Sequence, residues 1–160
     1  MVALILSDSH GNIEMMKEAV DRTGPDVILH LGDCWLDVDK LQKFYPDIPI
    51  YRVPGNNDYD RTEPRDLEIT LEGHNVFLCH GDIYGVNNTL GGLGMLAREK
   101  QIDLLLFGHT HRPFKDLRDS TLYLNPGSIG APEKLREYSY AVAFLMEGVP
   151  VSAWLKTIDG

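Results

Sequence analysis

Residues 104–111 read LLLFGHTH: an apolar run, Leu104–Phe107, that stops at Gly108-His109-Thr110-His111. Four apolar side chains in a row suit a strand buried on both faces. Two imidazoles follow, two residues apart. In extended backbone alternate side chains point the same way, so His109 and His111 can share one target. Alone, a His-x-His is more often a solvated surface turn, because imidazole has many uses. Four further apolar runs, however, end in the same manner. Val2–Leu6 runs into Ser7-Asp8-Ser9-His10-Gly11-Asn12, and Val27–Leu31 runs into Gly32-Asp33. Ile48–Val53 runs into Pro54-Gly55-Asn56-Asn57-Asp58, and Val76–Cys79 into His80-Gly81-Asp82.

Between these runs the periodicity changes. Ile13–Thr23 has helical spacing, with Ile13, Met16, Ala19 and Val20 on one side, Asn12 as N-cap and Gly24-Pro25 as the break. Val38–Tyr45 reads as a short helix stopped by Pro46. The first third is thus β-α-β-α-β, the rhythm of a parallel sheet with crossover helices. Leu67–Leu71 alternates and meets Val76–Cys79 across Glu72-Gly73-His74-Asn75, which reads as a hairpin. Thr89–Gln101 reads as a helix weakened by Gly91, Gly92 and Gly94. Phe114–Leu117, Thr121–Leu124, Tyr138–Met146 and Val149–Lys156 read as strands joined by tight turns at Arg118-Asp119-Ser120 and Glu147-Gly148. One domain spanning 1–160, with two stacked mixed sheets and helices outside (αββα, class α/β), accommodates both halves. There is no internal repeat, low-complexity tract or linker.

The chain has 160 residues, 43% hydrophobic and 24% charged, with a formal net charge of -9. That is an ordinary composition for a soluble globular domain with a real core. No apolar run approaches the ~20 residues that span a bilayer. No basic n-region or small-residue cleavage site opens the chain, so no signal peptide is expected. Cys34 and Cys79 show no framework spacing, which fits a reducing cytoplasm. A surface this acidic repels anionic lipid and duplex nucleic acid, and no extended basic groove supports a nuclease. It suits a protein that holds divalent metal and leaves room for a homo-oligomer.

In open α/β sheets, ligands bind beyond the carboxyl ends of the strands. If the five runs are parallel neighbours, their ends bring together Asp8, His10, Asp33, Asn56, His80, His109 and His111. These are oxygen and nitrogen donors in a number that exceeds the need of one tetrahedral ion. Two ions sharing one carboxylate is the economical arrangement. The mixed donor set favours Mn²⁺, Fe²⁺, Ni²⁺ or Zn²⁺ over Ca²⁺.

The order D-x-H, G-D, G-N-x-D/E, H-G, G-H-x-H, carried by those same segments, resembles that of the calcineurin-like metallophosphoesterase superfamily. The resemblance covers nearly the whole chain. The length, His80-Gly81-Asp82 and Asn125-Pro126-Gly127-Ser128 resemble its small microbial phosphodiesterase branch, whose fold the retromer scaffold subunit shares. The resemblance implies that Asp8, His10 and His111 bind one ion, that Asn56, His80 and His109 bind the other, and that Asp33 bridges them. It also implies a two-sheet sandwich and hydrolysis of a small phosphodiester. Ions ~3.5–4 Å apart would activate a bridging water as hydroxide for in-line attack. Asn57, Asp58 and His80 are the candidate catalytic residues. Where protein phosphatases of the superfamily carry an acid histidine, this chain has Asn57, which has no titratable proton. Asp58 is expected to orient a neighbouring imidazole. The alternative function is an interaction scaffold that keeps the fold without turnover, although such a scaffold has no need of all the donors.

The remaining polar and aromatic residues have plainer expectations. His30 reads as a hydrogen-bonded structural histidine, His74 as solvated, and Cys34 and Cys79 as buried apolar residues. Asn12 and Arg112 could serve as cap and ion-pair partner or contact a substrate phosphate. Asn125 and Ser128 shape a Pro-Gly turn. Trp35 is either an aromatic wall of the site or a buried cover.

Overall fold

The computed structural model describes residues 1–58, 62–132 and 136–158. Its elements are β1 (Val2–Leu6), α1 (Ile13–Thr23), β2 (Val27–His30), α2 (Asp37–Phe44), β3 (Ile50–Arg52), β4 (Asp66–Leu71) and β5 (His74–Cys79). A single 3₁₀ turn (Asp82–Tyr84) follows, then α3 (Gly91–Lys100), β6 (Leu104–Leu106), β7 (Pro113–Arg118), β8 (Thr121–Pro126), β9 (Tyr138–Met146) and β10 (Val149–Ile158). The strands form two mixed five-stranded sheets, ordered β10-β9-β1-β2-β3 and β4-β5-β6-β8-β7. The parallel triplets are β1-β2-β3 in the first sheet and β5-β6-β8 in the second. The five donor-bearing segments are therefore not neighbours in one sheet. Three close the parallel triplet of one sheet and two close strands of the facing sheet.

The uniformly apolar runs are explained by this layering. Along β1, Ala3 and Ile5 enter the core between the sheets, while Leu4 and Leu6 face outward onto Met16, Ala19 and Val20 of α1. In the second sheet Val76, Leu78, Leu104 and Leu106 face the shared core. Phe77, Cys79, Leu105 and Phe107 face Leu93 and Ala97 of α3. Period-two alternation thus sends both faces of each central strand into protein, which an αββα sandwich requires. α1 starts where Asn12 Oδ1 accepts the Met15 N–H at 3.3 Å and ends at Gly24 in the left-handed conformation (φ 58°).

Several boundaries differ from expectation. β3 is only Ile50–Arg52, and α3 starts two residues later than expected, at Gly91, whose N–H is accepted by Thr89 Oγ1 outside the helix. The β4–β5 turn is the two residues Glu72-Gly73, both at positive φ, so His74 lies in β5. Its Nε2 lies 2.9 Å from the Met146 carbonyl, and the ring is half-buried rather than solvated. Cys79 is buried as expected, but Cys34 is only half-buried. Trp35 is a buried cover, 4% exposed, with the Arg52 guanidinium 4.4 Å from its ring centroid. No helix among the described residues is long and apolar enough to cross a membrane.

His30, fully buried in β2, holds the loops of β1 and β2 in register. Its Nδ1 accepts the Gly32 N–H at 3.2 Å. Ser9 Oγ gives its one proton to Asp37 Oδ2 at 2.7 Å and so accepts from His30 Nε2 at 3.0 Å. A neutral ring satisfies both bonds and a protonated one breaks the first. Burial accordingly pushes His30 down to about 4, against the raising influence of Asp37, Asp8 and Asp58. Because the unfolded chain takes up this proton near pH 6.5 and the folded chain only near pH 4, stability is complete above pH 6.5. It falls as the pH drops through that window, by roughly 3 kcal/mol from this residue alone. Urea unfolding of wild type and His30→Gln at pH 7 and pH 4.5 should show a smaller acid loss in the variant.

Candidate metal centre

Five turns meet at one end of the sandwich, and they adopt unusual backbone there. Asp8 (φ 55°), His10 (φ 44°), Asp33 (φ 48°), His109 (φ 70°) and His111 (φ 59°) are all in the left-handed region that non-glycine residues avoid. Each such residue costs on the order of 1–3 kcal/mol and persists where its surroundings over-determine it. Here the left-handed residue turns the chain sharply off the strand end and aims its side chain across the gap between the sheets.

The donors come within contact range. One ligating atom each of Asp8, His10 and His111 lies within 4.8 Å of the others, and the same is true of Asp8, Asp33 and His80. Asp8 is thus common to both groups. His109 Nδ1 lies 3.3 Å from His80 Nε2 and 3.1 Å from Asn56 Oδ1, which brings the last two donors to the Asp33–His80 side.

The protonation pattern shows what the cluster lacks. A carbonyl oxygen can only accept, so His80 Nδ1, 2.7 Å from the Leu31 carbonyl, carries that ring's proton. Its Nε2 then presents a lone pair to Asp33 Oδ2 at 3.5 Å and Asp8 Oδ1 at 3.9 Å. His111 Nδ1 likewise donates to the Ala131 carbonyl at 2.7 Å, leaving Nε2 3.1 Å from Asp8 Oδ1. Asp8 Oδ1 is buried with no aligned hydrogen bond, although His111, His10 and His80 all point nitrogens at it. A buried carboxylate ringed by imidazoles in this way needs positive charge, supplied by a proton on His111 or by a cation in its place. The donor set therefore fits metal ions.

Electrostatics follow from this packing. Burial tends to raise Asp8, but the neighbouring His111 and His80 rings and the Ser7 hydroxyl outweigh it and hold the carboxyl below its usual range. The same carboxylate, working against burial, pushes His111 up to about 9. Burial, reinforced by His80, lowers His109.

A second layer fixes these groups. Ser7 Oγ donates to Asp8 Oδ2 at 2.6 Å, and the His109 N–H reaches the same oxygen at 3.3 Å. Asn57 donates to both Asp33 oxygens, from its backbone N at 3.0 Å and its Nδ2 at 2.7 Å. Asp58 accepts backbone N–H bonds from Asp33 (2.9 Å), Trp35 (2.9 Å) and Gly55 (2.7 Å). Its expected imidazole partner is replaced by backbone: it clasps the β2 and β3 turns rather than steering a histidine. Glycine permits the close approach. A Cβ on Gly55 would lie 2.1 Å from Asp33 Oδ1, and one on Gly108 would lie 2.1 Å from Ser7 Oγ. Asn12 is the cap of α1, and Ser128 Oγ donates to the Asp8 carbonyl at 2.8 Å. Asn125 ties Gly108 to Thr110, donating to the carbonyl at 3.1 Å and the hydroxyl at 3.0 Å.

Sequence reasoning passed over Ser7 and Asp37. Asp37 is buried at the start of α2 and accepts the Gly11 N–H at 2.7 Å, pinning the Asp8–His10 turn. Its place in the solvent-like helix start D-V-D-K suggested a surface role, so no local signal marked it.

The sequence and fold match those of known proteins. Residues 1–148 match the model of the calcineurin-like phosphoesterase superfamily domain. The chain is 32% identical over 148 residues to the probable metallophosphoesterase YsnB of Bacillus subtilis, covering 91% of this chain and 85% of that protein. It is 26% identical over 127 residues to the phosphodiesterase YfcE of Escherichia coli, covering 79% of this chain and 57% of that protein. Its fold resembles the structure of Vps29 complexed with Zn²⁺ from Entamoeba histolytica, with a TM-score of 0.75, 18% identity, and coverage of 98% and 99% of the two chains. The chain belongs to the calcineurin-like phosphoesterase superfamily.

Proposed function

We propose that this metallophosphoesterase is a phosphodiesterase that works with two divalent ions, with manganese as the first metal to supply. The observation that carries the reading is the buried Asp8 Oδ1, without an aligned hydrogen bond, at the centre of converging imidazole nitrogens. Asp8, His10 and His111 would hold one ion, Asn56, His80 and His109 the other, with Asp33 between them. When bound, such ions supply Lewis-acid polarisation of phosphoryl oxygens and activate water as a nucleophile. The chain's own residues do the rest. The Asp8 and Asp33 carboxylates balance cationic charge, and the Leu31 carbonyl fixes the His80 ring in the tautomer that keeps Nε2 free to ligate. Asp58 holds the Asp33 and Gly55 backbones so that the bridging carboxylate does not swing. Asn57 positions Asp33 and has no proton to give a leaving group. The phosphodiesterase name of YfcE supports the same substrate class. The likeness to Vps29 carries the fold alone, and a scaffold has no physical need of the full donor set. Two free cysteines suit a reducing cytoplasm.

Asp33→Asn should remove metal from both positions and lower kcat/KM for bis-p-nitrophenyl phosphate by more than the roughly 10–100-fold typical of changes behind the ligands. Metal analysis of the variant with both ions retained, together with a near-normal rate, would refute the bridging role.

Ions that bind only the folded state stabilise it. At an ion concentration about 100-fold above Kd, one site adds ~2.7 kcal/mol, or about 5–10 °C in Tm for a chain of this size. Calorimetry should show the chelator-treated protein melting lower than the Mn²⁺-loaded one.

A positioned general acid is worth ~10²–10⁴ when the leaving group is poor. Without one, an activated aryl diester, which carries a single charge toward the carboxylates, should be preferred to the dianionic monoester. Matched kcat/KM values for nitrophenyl diester and monoester test this, and Asn57→His should narrow the gap by raising monoester turnover.

A further inference from the structure

The loop Gly108–His111 sends one donor to each side of the metal centre. His109 Nδ1 lies 3.1 Å from Asn56 Oδ1 and 3.3 Å from His80 Nε2, whereas His111 Nε2 lies 3.1 Å from Asp8 Oδ1. Both histidines are left-handed, a conformation that the local chain does not favour, so their spacing depends on bonds that brace the loop.

Two small turns make up the loop. The Gly108 carbonyl accepts the Thr110 N–H at 2.8 Å, and this turn encloses His109. Thr110 Oγ1 accepts the Arg112 N–H at 3.2 Å, and this turn encloses His111. One side chain reaches both closures. Asn125, fully buried near the end of β8, donates from Nδ2 to the Gly108 carbonyl at 3.1 Å and to Thr110 Oγ1 at 3.0 Å. Its Oδ1 accepts the Gly127 N–H at 2.9 Å. Chemistry fixes the orientation of the amide, because the Gly127 N–H can only donate and the Gly108 carbonyl can only accept. The oxygen therefore shapes the Pro-Gly turn that the sequence suggests. The nitrogen has a separate task, since its two protons land on the two atoms that close the histidine turns.

Building on the two-ion reading, we propose that Asn125 is a positioning residue for both ions. By clamping both turns with one amide it fixes the spacing of His109 and His111. Its loss weakens the two sites together, although Asn125 is a ligand of neither.

Asn125→Asp separates the two tasks. An ionised carboxylate keeps the volume and the acceptor for the Gly127 N–H but has no proton for Gly108 or Thr110. Titration calorimetry with Mn²⁺, repeated with Zn²⁺, should show both dissociation constants raised by about 10–100-fold. The added negative charge by itself would tighten cation binding, so the loss reports the displaced loop. Thr110→Val is neutral and isosteric and removes the hydroxyl that closes the second turn. It should weaken binding about two- to tenfold, while Thr110→Ser, which keeps the hydroxyl, should bind as wild type does. Melting of each chelator-treated variant is measured alongside. A residue that only supports the fold lowers the melting temperature and leaves the affinity of the folded protein unchanged. That pattern in both Asn125→Asp and Thr110→Val would overturn the proposal, as would a loss confined to one ion in Asn125→Asp. If Asn125→Asp does not fold, the Thr110 pair decides: weaker binding in Thr110→Val alone supports the clamp, and equal affinities overturn it. A wild type that binds fewer than two ions refutes the two-ion reading itself, and the proposal falls with it.

Discussion

The structure turns on a buried carboxylate oxygen ringed by imidazoles. Asp8 Oδ1 sits at the junction of two sheets, with three imidazole nitrogens directed at it and no aligned hydrogen bond. An isolated ionised carboxylate in such a place is among the costliest arrangements a protein can make. It persists because every neighbouring group is arranged for positive charge. His80 gives its ring proton to a backbone carbonyl and turns a lone pair inward, and His111, anchored on a second carbonyl, sets its other ring nitrogen against Asp8. Asn57 and Asp58 spend their hydrogen bonds holding Asp33 and its backbone in place.

This convergence has a structural precondition. The donors come from both sheets, so the turns of one must touch those of the other more closely than side chains allow. Gly55 against Asp33 and Gly108 against Ser7 supply the space. The left-handed backbone at five donors supplies the direction. The resulting strain is offset by the apolar layers on either side of each sheet, which run up to the last residue before each turn. Packing that reaches this close leaves the turns little freedom, as a metal centre needs for its geometry.

A groove adjoins the metal cluster, lined among the described residues by Arg112, Phe114 and Arg118. The same short loop, Gly108 to Arg112, forms the edge of both.

The order and kind of the elements were legible in the chain because both strand faces are buried, which leaves long apolar runs, and because each run ends at a polar, glycine-bearing turn. The seven candidate donors were legible for the same reason: each stands just past a run, where a sheet delivers its side chains. Local pattern could not reveal that two sheets share the site, since hydrogen-bond pairing between distant strands leaves no mark on sequence spacing. Nor could it reveal that Asp58 grips backbone rather than imidazole, that Asp37 is buried, that Trp35 is a cover beneath Arg52, or that His74 belongs to a strand. Each of those depends on what lies opposite the residue in space. Periodicity tells a residue which way to face, but only the packed tertiary structure decides what it meets there.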